Sequence, residues 1–277
     1  MSSDTQRVKT PFRYPGGKYY ALKYLLPFIN QIPHDEYREP FVGGGSVFFG
    51  KAKACTNWIN DIDGQLINIY KTFQSKQHYK AIIKTLSEET ANPERYKQVK
   101  NLEPKSNLEK ACRYYYLNRT SFSGKMISAS WGYREKRSIP PNRWGEVIEP
   151  AHKKLARVNI TNLDFEGVIS MSSKSKVLLY IDPPYFLPLK RKHYLNGFSK
   201  EDHLRLLNSL RRTKHTFLLS YEDCKEIRKL YSWANIYKLA FPYRVQDSNT
   251  SNSKRKTGRE IIISNRKFRD FEEVRLK

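Results

Sequence analysis

Cysteine is scarce in this chain of 277 residues: Cys55, Cys112 and Cys224 stand far apart, with no CxxC spacing. That excludes a disulfide framework, offers no zinc site and predicts a reducing compartment. Long apolar runs are missing too. No stretch approaches the roughly 18 consecutive apolar residues that mark a spanning helix, so no membrane partner is expected. The opening MSSDTQRVKT is polar and lacks the apolar core of a secretory signal, which makes the cytoplasm the expected location. No internal repeat is present. Acidic residues are the last shortage, 27 against 51 basic ones, for a net charge of +24. Solubility needs no such excess, and it points to a polyanionic partner bound through phosphate contacts. Charge alone leaves a ribosomal or membrane-surface protein open.

What the chain does contain is globular. Hydrophobic content of 39%, with 19 Tyr, 14 Phe and 4 Trp, argues against disorder. The length suits one large α/β domain or one domain carrying an inserted module. Residues 37–70 read as strand "YREPFV", glycine loop and helix "GGGSVFFGKA", strand "TNWIND" and helix "GQLINIYKTF". Residues 76–118 favour helix, and "SNLEKACRYYYLNRT" carries a Ser106/Glu109 capping box. From Arg113 to Trp144 seven basic residues face one acidic residue, Glu135, with Tyr114, Tyr115, Tyr116, Phe122, Trp131, Tyr133 and Trp144 between them. The α/β alternation then resumes with strand "KVLLYI", helix "SKEDHLRLLNSLRRT" behind a Ser199/Asp202 box, strand "HTFLLSY", helix "EDCKEIRKLY" and strand "REIIISN". "QDSNTSNSKRKTG" reads as a flexible basic loop. The expected architecture is a sheet domain, residues 1–71 and 156–277, interrupted by a basic, aromatic-rich and mainly helical module at 72–155.

Four stretches carry chemistry. In "YIDPPYF" a buried strand, Val177 to Ile181, is stopped by Pro183 and Pro184, which donate no ladder hydrogen bond. Asp182 and Tyr185 are thereby held on a stiff backbone at the strand's carboxyl end. "PFVGGGSVFF" places glycines between a strand and a helix, where a ligand can approach the backbone. It is neither a P-loop, lacking GK[ST], nor the spaced GxGxxG of dinucleotide sites. Asp61, at the end of the next strand, could accept from ribose hydroxyls or cap the following helix. "FRYPGGK" reads as a turn feeding a helix, and "LDF" at 163–165 pairs a carboxylate with an aromatic ring, which suits an adenine.

In this order "FRYPGGK", "EPFVGGGSVFF", "NDIDGQLINIY" and "DPPY" resemble the Dam-type, D12-class DNA adenine-N6 methyltransferases. "YYYLNRTSFSG" is similar to the LNR segment that opens that family's DNA-recognition region. The resemblance runs from about residue 11 to about 265 and implies a Rossmann-like, S-adenosylmethionine-dependent methyltransferase sheet. It implies that Tyr14, Lys18, Phe41 and the Gly43, Gly44 and Gly45 loop contact the cofactor. Asp61 would take its ribose, Asp164 and Phe165 its adenine, and Asp182 would also lie against it. The family usually has Trp-Ala at Tyr14-Pro15 and often Ala at Gly44; both exchanges look compatible with binding.

The same resemblance assigns catalysis to Asp182, Pro183, Pro184 and Tyr185, with no metal. The Asp182 carboxylate and Pro183 carbonyl would accept from both hydrogens of the target N6, while Tyr185 stacks on the base. Double-stranded DNA would be contacted by Arg119, Phe122, Ser123, Lys125, Trp131, Tyr133, Arg134 and Arg137. Phe122 or Arg119 would fill the gap left by a flipped base, and "LKRKHY" and "SKRKTG" would meet phosphates. After "LNR" the chain departs from enzymes that read GATC, so base-reading residues do not transfer. A monomer is expected. A cytosine-N4 or RNA acceptor, or a DNA-binding protein without catalysis, are the competing readings.

Overall fold

The computed structural model describes residues 7–186, 197–242 and 257–274. "LKRKHY" and most of "QDSNTSNSKRKTG" lie outside them. The described strands are β1 (Glu36–Glu39), β2 (Thr56–Asn60), β3 (Asn159–Thr161), β4 (Val177–Ile181), β5 (Thr216–Glu222), β6 (Asn235–Pro242) and β7 (Thr257–Ser264). They form one mixed sheet in the order β3-β2-β1-β4-β5-β7-β6. The pairs β1·β2, β1·β4, β2·β3 and β4·β5 are parallel, and β7 runs antiparallel to both β5 and β6. From β1 the chain steps outward to β2 and β3, then returns to place β4 on the other side of β1. A crevice opens at such a reversal, beyond the carboxyl ends of the two strands.

Helices α1 (Leu22–Asn30), α2 (Ser46–Gly50), α3 (Gly64–Gln74), α8 (Phe165–Ser170), α9 (Lys200–Arg212) and α10 (Lys225–Leu230) accompany the sheet. Between α3 and β3 lie α4 (Lys76–Ser87), α5 (Pro93–Lys100), α6 (Asn107–Thr120) and α7 (Gly145–Leu155). The apolar run of β4 has a direct explanation. Leu178 and Tyr180 face one hydrophobic cluster, while Val177, Leu179 and Ile181 face the other. A parallel strand covered on both faces has no polar side to alternate with.

Several boundaries moved for identifiable reasons. The "YREPFV" strand ends at Glu39, because Pro40 has no N–H for the ladder. Helix α2 is only five residues long, and Lys51 beyond it is extended. β6, within "NIYKLAFP", was not singled out in the sequence; it pairs with β7 along its length. Both expected capping boxes form, Ser106 with Glu109 and Ser199 with Asp202. α3 runs past the boundary expected at 71/72, to Gln74.

The helices from α4 to α7 share a core with the sheet. Ile82, Leu86, Tyr96, Tyr115, Trp144 and Leu155 belong to the same cluster as Tyr37, Ile59 and Leu178. Trp144 is fully buried, donates from its indole N–H to the Ile139 carbonyl (2.8 Å) and meets Tyr115 and Tyr116 edge-on. Trp144→Ala should lower stability by about 3–5 kcal/mol. In urea the variant should still unfold in one transition at a lower midpoint; a separate early transition for the helices would contradict a shared core.

Candidate active site

Past β1 the chain enters Phe41, Val42 and the three glycines. The Val42 amide donates to the Asn60 carbonyl (2.8 Å), and the Gly45 amide turns back to the Val42 carbonyl (2.7 Å). Gly43 and Gly45 have φ of 46° and 67°, a region that favours glycine. A Cβ on Gly43 would come within 2.9 Å of the Tyr14 ring, and one on Gly45 within 2.7 Å of the Tyr70 hydroxyl. At Gly44 the obstacle is purely spatial: a Cβ would lie 2.6 Å from Tyr14 Cβ. The alanine exchange expected to be compatible therefore requires Tyr14 to move. The glycine run is the seat of Tyr14.

The two readings of Asp61 separate cleanly. Capping of α3 belongs to Asp63, whose Oδ1 accepts from the Gln65 and Leu66 amides (2.9 and 3.2 Å). Asp61 instead accepts from the Gly43 amide (2.8 Å) and the Asp63 amide (3.0 Å), tying the glycine loop to the end of β2. Burial pushes its carboxyl up to about 6, with those amides opposing the rise. Behind it, the fully buried Asn60 joins three strand ends. Its Nδ2 donates to the Pro40 and Leu163 carbonyls (3.0 and 2.9 Å), and its Oδ1 accepts from the Leu163 amide and the Thr161 hydroxyl (2.9 and 2.7 Å). The only sign of Asn60 in the sequence is an asparagine at the end of an apolar strand.

Asp182 stands at the carboxyl end of β4, across the crevice. Its partner is Lys18, which is buried and 2.8 Å away. Lys18 Nζ also donates to the Tyr185 hydroxyl (2.8 Å) and lies 3.7 Å from Glu260 on β7. The Tyr185 hydroxyl in turn donates to Glu260. Burial pushes the Asp182 carboxyl up to about 6, against the opposing pull of Lys18 and with a further upward push from Glu260. Burial also disfavours the Lys18 ammonium, yet Asp182 and Glu260 outweigh that cost and raise it above the ordinary lysine value. Next to them, buried Glu39 is pushed up to about 8 by burial while accepting from the Tyr37 hydroxyl (2.9 Å).

The cleft is lined by Tyr14, Phe41, Gly43, Asp61, Asp182 and Pro184 among the expected residues. Ile62, Asp63, Tyr114, Gly124, Met126, Ile127 and Phe198 line it too, without having been expected. Phe165 lies behind the wall, stacked on Phe41 with ring centroids 5.2 Å apart. Asp164 caps α8 and pairs with Arg205 (2.9 Å). Lys18 sits underneath the Asp182 carboxylate rather than on the surface of the cleft. Among the described residues no cluster of three or more His, Cys, Asp or Glu could hold a metal, and no helix is long and apolar enough to cross a membrane.

The residues expected to meet DNA follow α6. Phe122 is half exposed, with Lys125 Nζ 5.9 Å from its ring centroid, and Ser123 is exposed at φ 55°. Arg134 and Arg137 are exposed on one turn. Trp131 and Tyr133 pack together, and Trp131 also meets Tyr96, which anchors the loop. The loop is joined to the amino-terminal motif by Asn118. Its side chain accepts from the Arg13 amide (2.9 Å) and donates to the Arg13 carbonyl (2.7 Å). Arg13 reaches back to the Arg119 carbonyl (3.2 Å), and Arg119 reaches the Pro11 carbonyl (3.4 Å).

A glycine loop after β1, faced by a half-buried carboxylate after β2 at a switch point, is the layout of α/β enzymes that bind nucleotide-like cofactors. Comparison with known families makes this specific. A model of D12 class N6 adenine-specific DNA methyltransferases matches residues 14–242. The chain belongs to that family. It is 28% identical over 284 residues to the type II methyltransferase M1.LlaDCHI of Lactococcus lactis subsp. cremoris, covering 92% of this chain and 95% of that protein. It is 26% identical over 234 residues to the type II methyltransferase M.CviBI of Paramecium bursaria Chlorella virus NC1A, covering 81% and 86%. Similarity to the DNA N-6-adenine-methyltransferase of Escherichia phage P1 is 28% over 238 residues, 79% of this chain but 30% of that protein.

Gly44→Ala should cost about 1–3 kcal/mol, as overpacking of a filled site does. Urea denaturation reads this directly, and an unchanged midpoint would show that the Tyr14 segment yields freely.

Proposed function

We propose that this enzyme transfers a methyl group from S-adenosylmethionine to N6 of an adenine flipped out of double-stranded DNA. One observation carries the reading: in a chain of net charge +24, the cleft at the switch point is lined by three carboxylates, Asp61, Asp63 and Asp182. Such a cleft suits a small ligand with cationic groups and hydroxyls inside a protein that attracts a polyanion from outside. The cofactor fits this donor set. It supplies a methyl carbon on a sulfonium sulfur, and the chain's residues supply the rest. Asp61 accepts from ribose hydroxyls, and the Gly43–Gly45 backbone admits close approach. Phe41, backed by Phe165, faces the adenine ring, and Asp164 accepts from its amino group.

The exocyclic N6 is a poor nucleophile because its lone pair is delocalised into the ring. The Asp182 carboxylate and Pro183 carbonyl accept from its two hydrogens, which favours a pyramidal nitrogen with the lone pair directed outward. Pro183 and Pro184 fix that carbonyl without offering a competing N–H. Alignment of the reacting atoms is worth up to roughly 7–11 kcal/mol in intramolecular models. Flipping the base costs a few kcal/mol, offset in part by stacking on Tyr185, at roughly 1–3 kcal/mol.

The helical insert at 72–155 is assigned as the target-recognition module on the catalytic frame of 1–71 and 156–277. Arg119, Phe122, Ser123, Lys125, Trp131, Tyr133, Arg134 and Arg137 are its proposed DNA contacts. Transfer to a single base demands no second site, so the enzyme is proposed to act as a monomer. The names of the relatives, two type II methyltransferases and a DNA N-6-adenine-methyltransferase, support the DNA substrate.

Asp182→Ala should abolish methyl transfer to unmethylated genomic DNA while keeping non-specific DNA affinity; undiminished transfer would overturn the assignment. Digestion of the product to nucleosides should yield N6-methyladenine, and N4-methylcytosine alone would reverse the choice of acceptor. The pH profile has a defined sign. Asp182 accepts as a carboxylate, and its folded value near 6 lies above the ordinary one. Transfer should therefore fall as pH drops through about 6, visible as an acid limb in kcat/KM. The same shift means that ionising Asp182 costs the fold stability as pH rises from about 4 to about 6.

A further inference from the structure

Glu260 belongs to none of the motifs that mark the site, yet it touches two of them. It lies on β7, seven per cent exposed, opposite Glu222 of β5 in the antiparallel register. Its Oε1 accepts from the Tyr185 hydroxyl and lies 3.7 Å from Lys18 Nζ, while its Oε2 accepts from the Ser220 hydroxyl (3.4 Å). Lys18 Nζ donates to the same Tyr185 oxygen and sits 4.9 Å from the centre of that ring. The Tyr185 hydroxyl is thus held between a carboxylate and an ammonium, both buried.

We propose that Glu260 is a positioning residue for methyl transfer: it locks the Tyr185 ring through its hydroxyl and holds Lys18 against Asp182. The proposal rests on the reading of Asp182 and Tyr185 given above. An aromatic platform that must receive an incoming base is most useful when its rotamer is set beforehand, because ordering it later opposes binding. The diproline fixes the Tyr185 backbone but not the torsions of its side chain. A phenol held at its far end removes the remaining freedom. Glu260 also acts on Asp182 at a distance, as one of the charges around it with Lys18 and Glu222; Tyr180 and Glu39 complete the buried group.

The test compares Glu260→Gln, Tyr185→Phe and the double variant in the full-length protein. The readout is the initial rate of N6-methyladenine formation in unmethylated genomic DNA at saturating S-adenosylmethionine. Each single change should slow transfer by about tenfold, the scale of one hydrogen bond to a charged group. The double variant should be no slower than the slower single one, since Tyr185→Phe removes the hydrogen bond whose charged acceptor Glu260→Gln takes away. Glu260→Gln should also move the acid limb to lower pH, because a negative charge near Asp182 is gone, whereas Tyr185→Phe should leave it in place. Additive losses in the double variant, a wild-type rate in Glu260→Gln, or an unmoved acid limb would overturn the proposal. Should Glu260→Gln fail to fold, Tyr185→Phe decides, and an undiminished rate there overturns it. Asp182→Ala, assayed alongside, keeps the two readings apart. Transfer by that variant would overturn the function itself, whereas its inactivity with a wild-type Glu260→Gln rate would remove only the positioning role.

Discussion

A single buried ammonium holds the carboxyl edge of this sheet together. Lys18 meets Asp182 at 2.8 Å, lies 3.7 Å from Glu260 and donates to the Tyr185 hydroxyl. Each of those carboxylates would be costly to bury unpaired, and removing one partner of a buried pair generally costs more than the pair is worth. The cation comes from the segment ahead of α1, whereas its partners come from the end of β4 and from within β7. The site can therefore form only once distant parts of the chain have docked. That dependence also seats Tyr14 on the glycine loop, because Tyr14 and Lys18 lie on the same short turn.

Much of this was legible in the sequence. The uninterrupted apolar run of β4 announced a strand covered on both faces, and the Ser106/Glu109 and Ser199/Asp202 pairs announced two helix starts. Glycines after β1 and prolines after β4 marked the two lips of the crevice. What stayed hidden depended on partners far away in the chain. "PGGK" gives no hint that its lysine points beneath an aspartate. "REIIISN" reads as a plain strand, although its glutamate reaches Tyr185. Asp61 and Asp63 are indistinguishable as caps until the direction of α3 is known. Gly124, Met126 and Ile127 reach the cleft only because the loop after α6 folds back over it.

Charge works on two length scales in this molecule. The net excess of basic residues extends over the surface and is screened beyond about 8–10 Å at moderate salt. Inside the cleft the charged side chains that line the wall are carboxylates, Asp61, Asp63 and Asp182, the last balanced by Lys18 beneath it. On the proposed function, DNA and the cofactor would thus meet different sets of charges on one protein.

The shared hydrophobic core has a consequence for how such a protein can diversify. Helices α4 to α7 bury their apolar faces against α3 and against one another in the cluster that also covers the sheet. They have no separate interior, so they cannot be traded between relatives as a cassette without opening the frame that carries the chemistry. The solvent-facing side chains of Phe122, Arg134 and Arg137 carry no such constraint, although the loop backbone that bears them is packed. Sequence drift there is structurally inexpensive, which makes those few solvent-facing positions the natural ground on which new variants of this architecture arise.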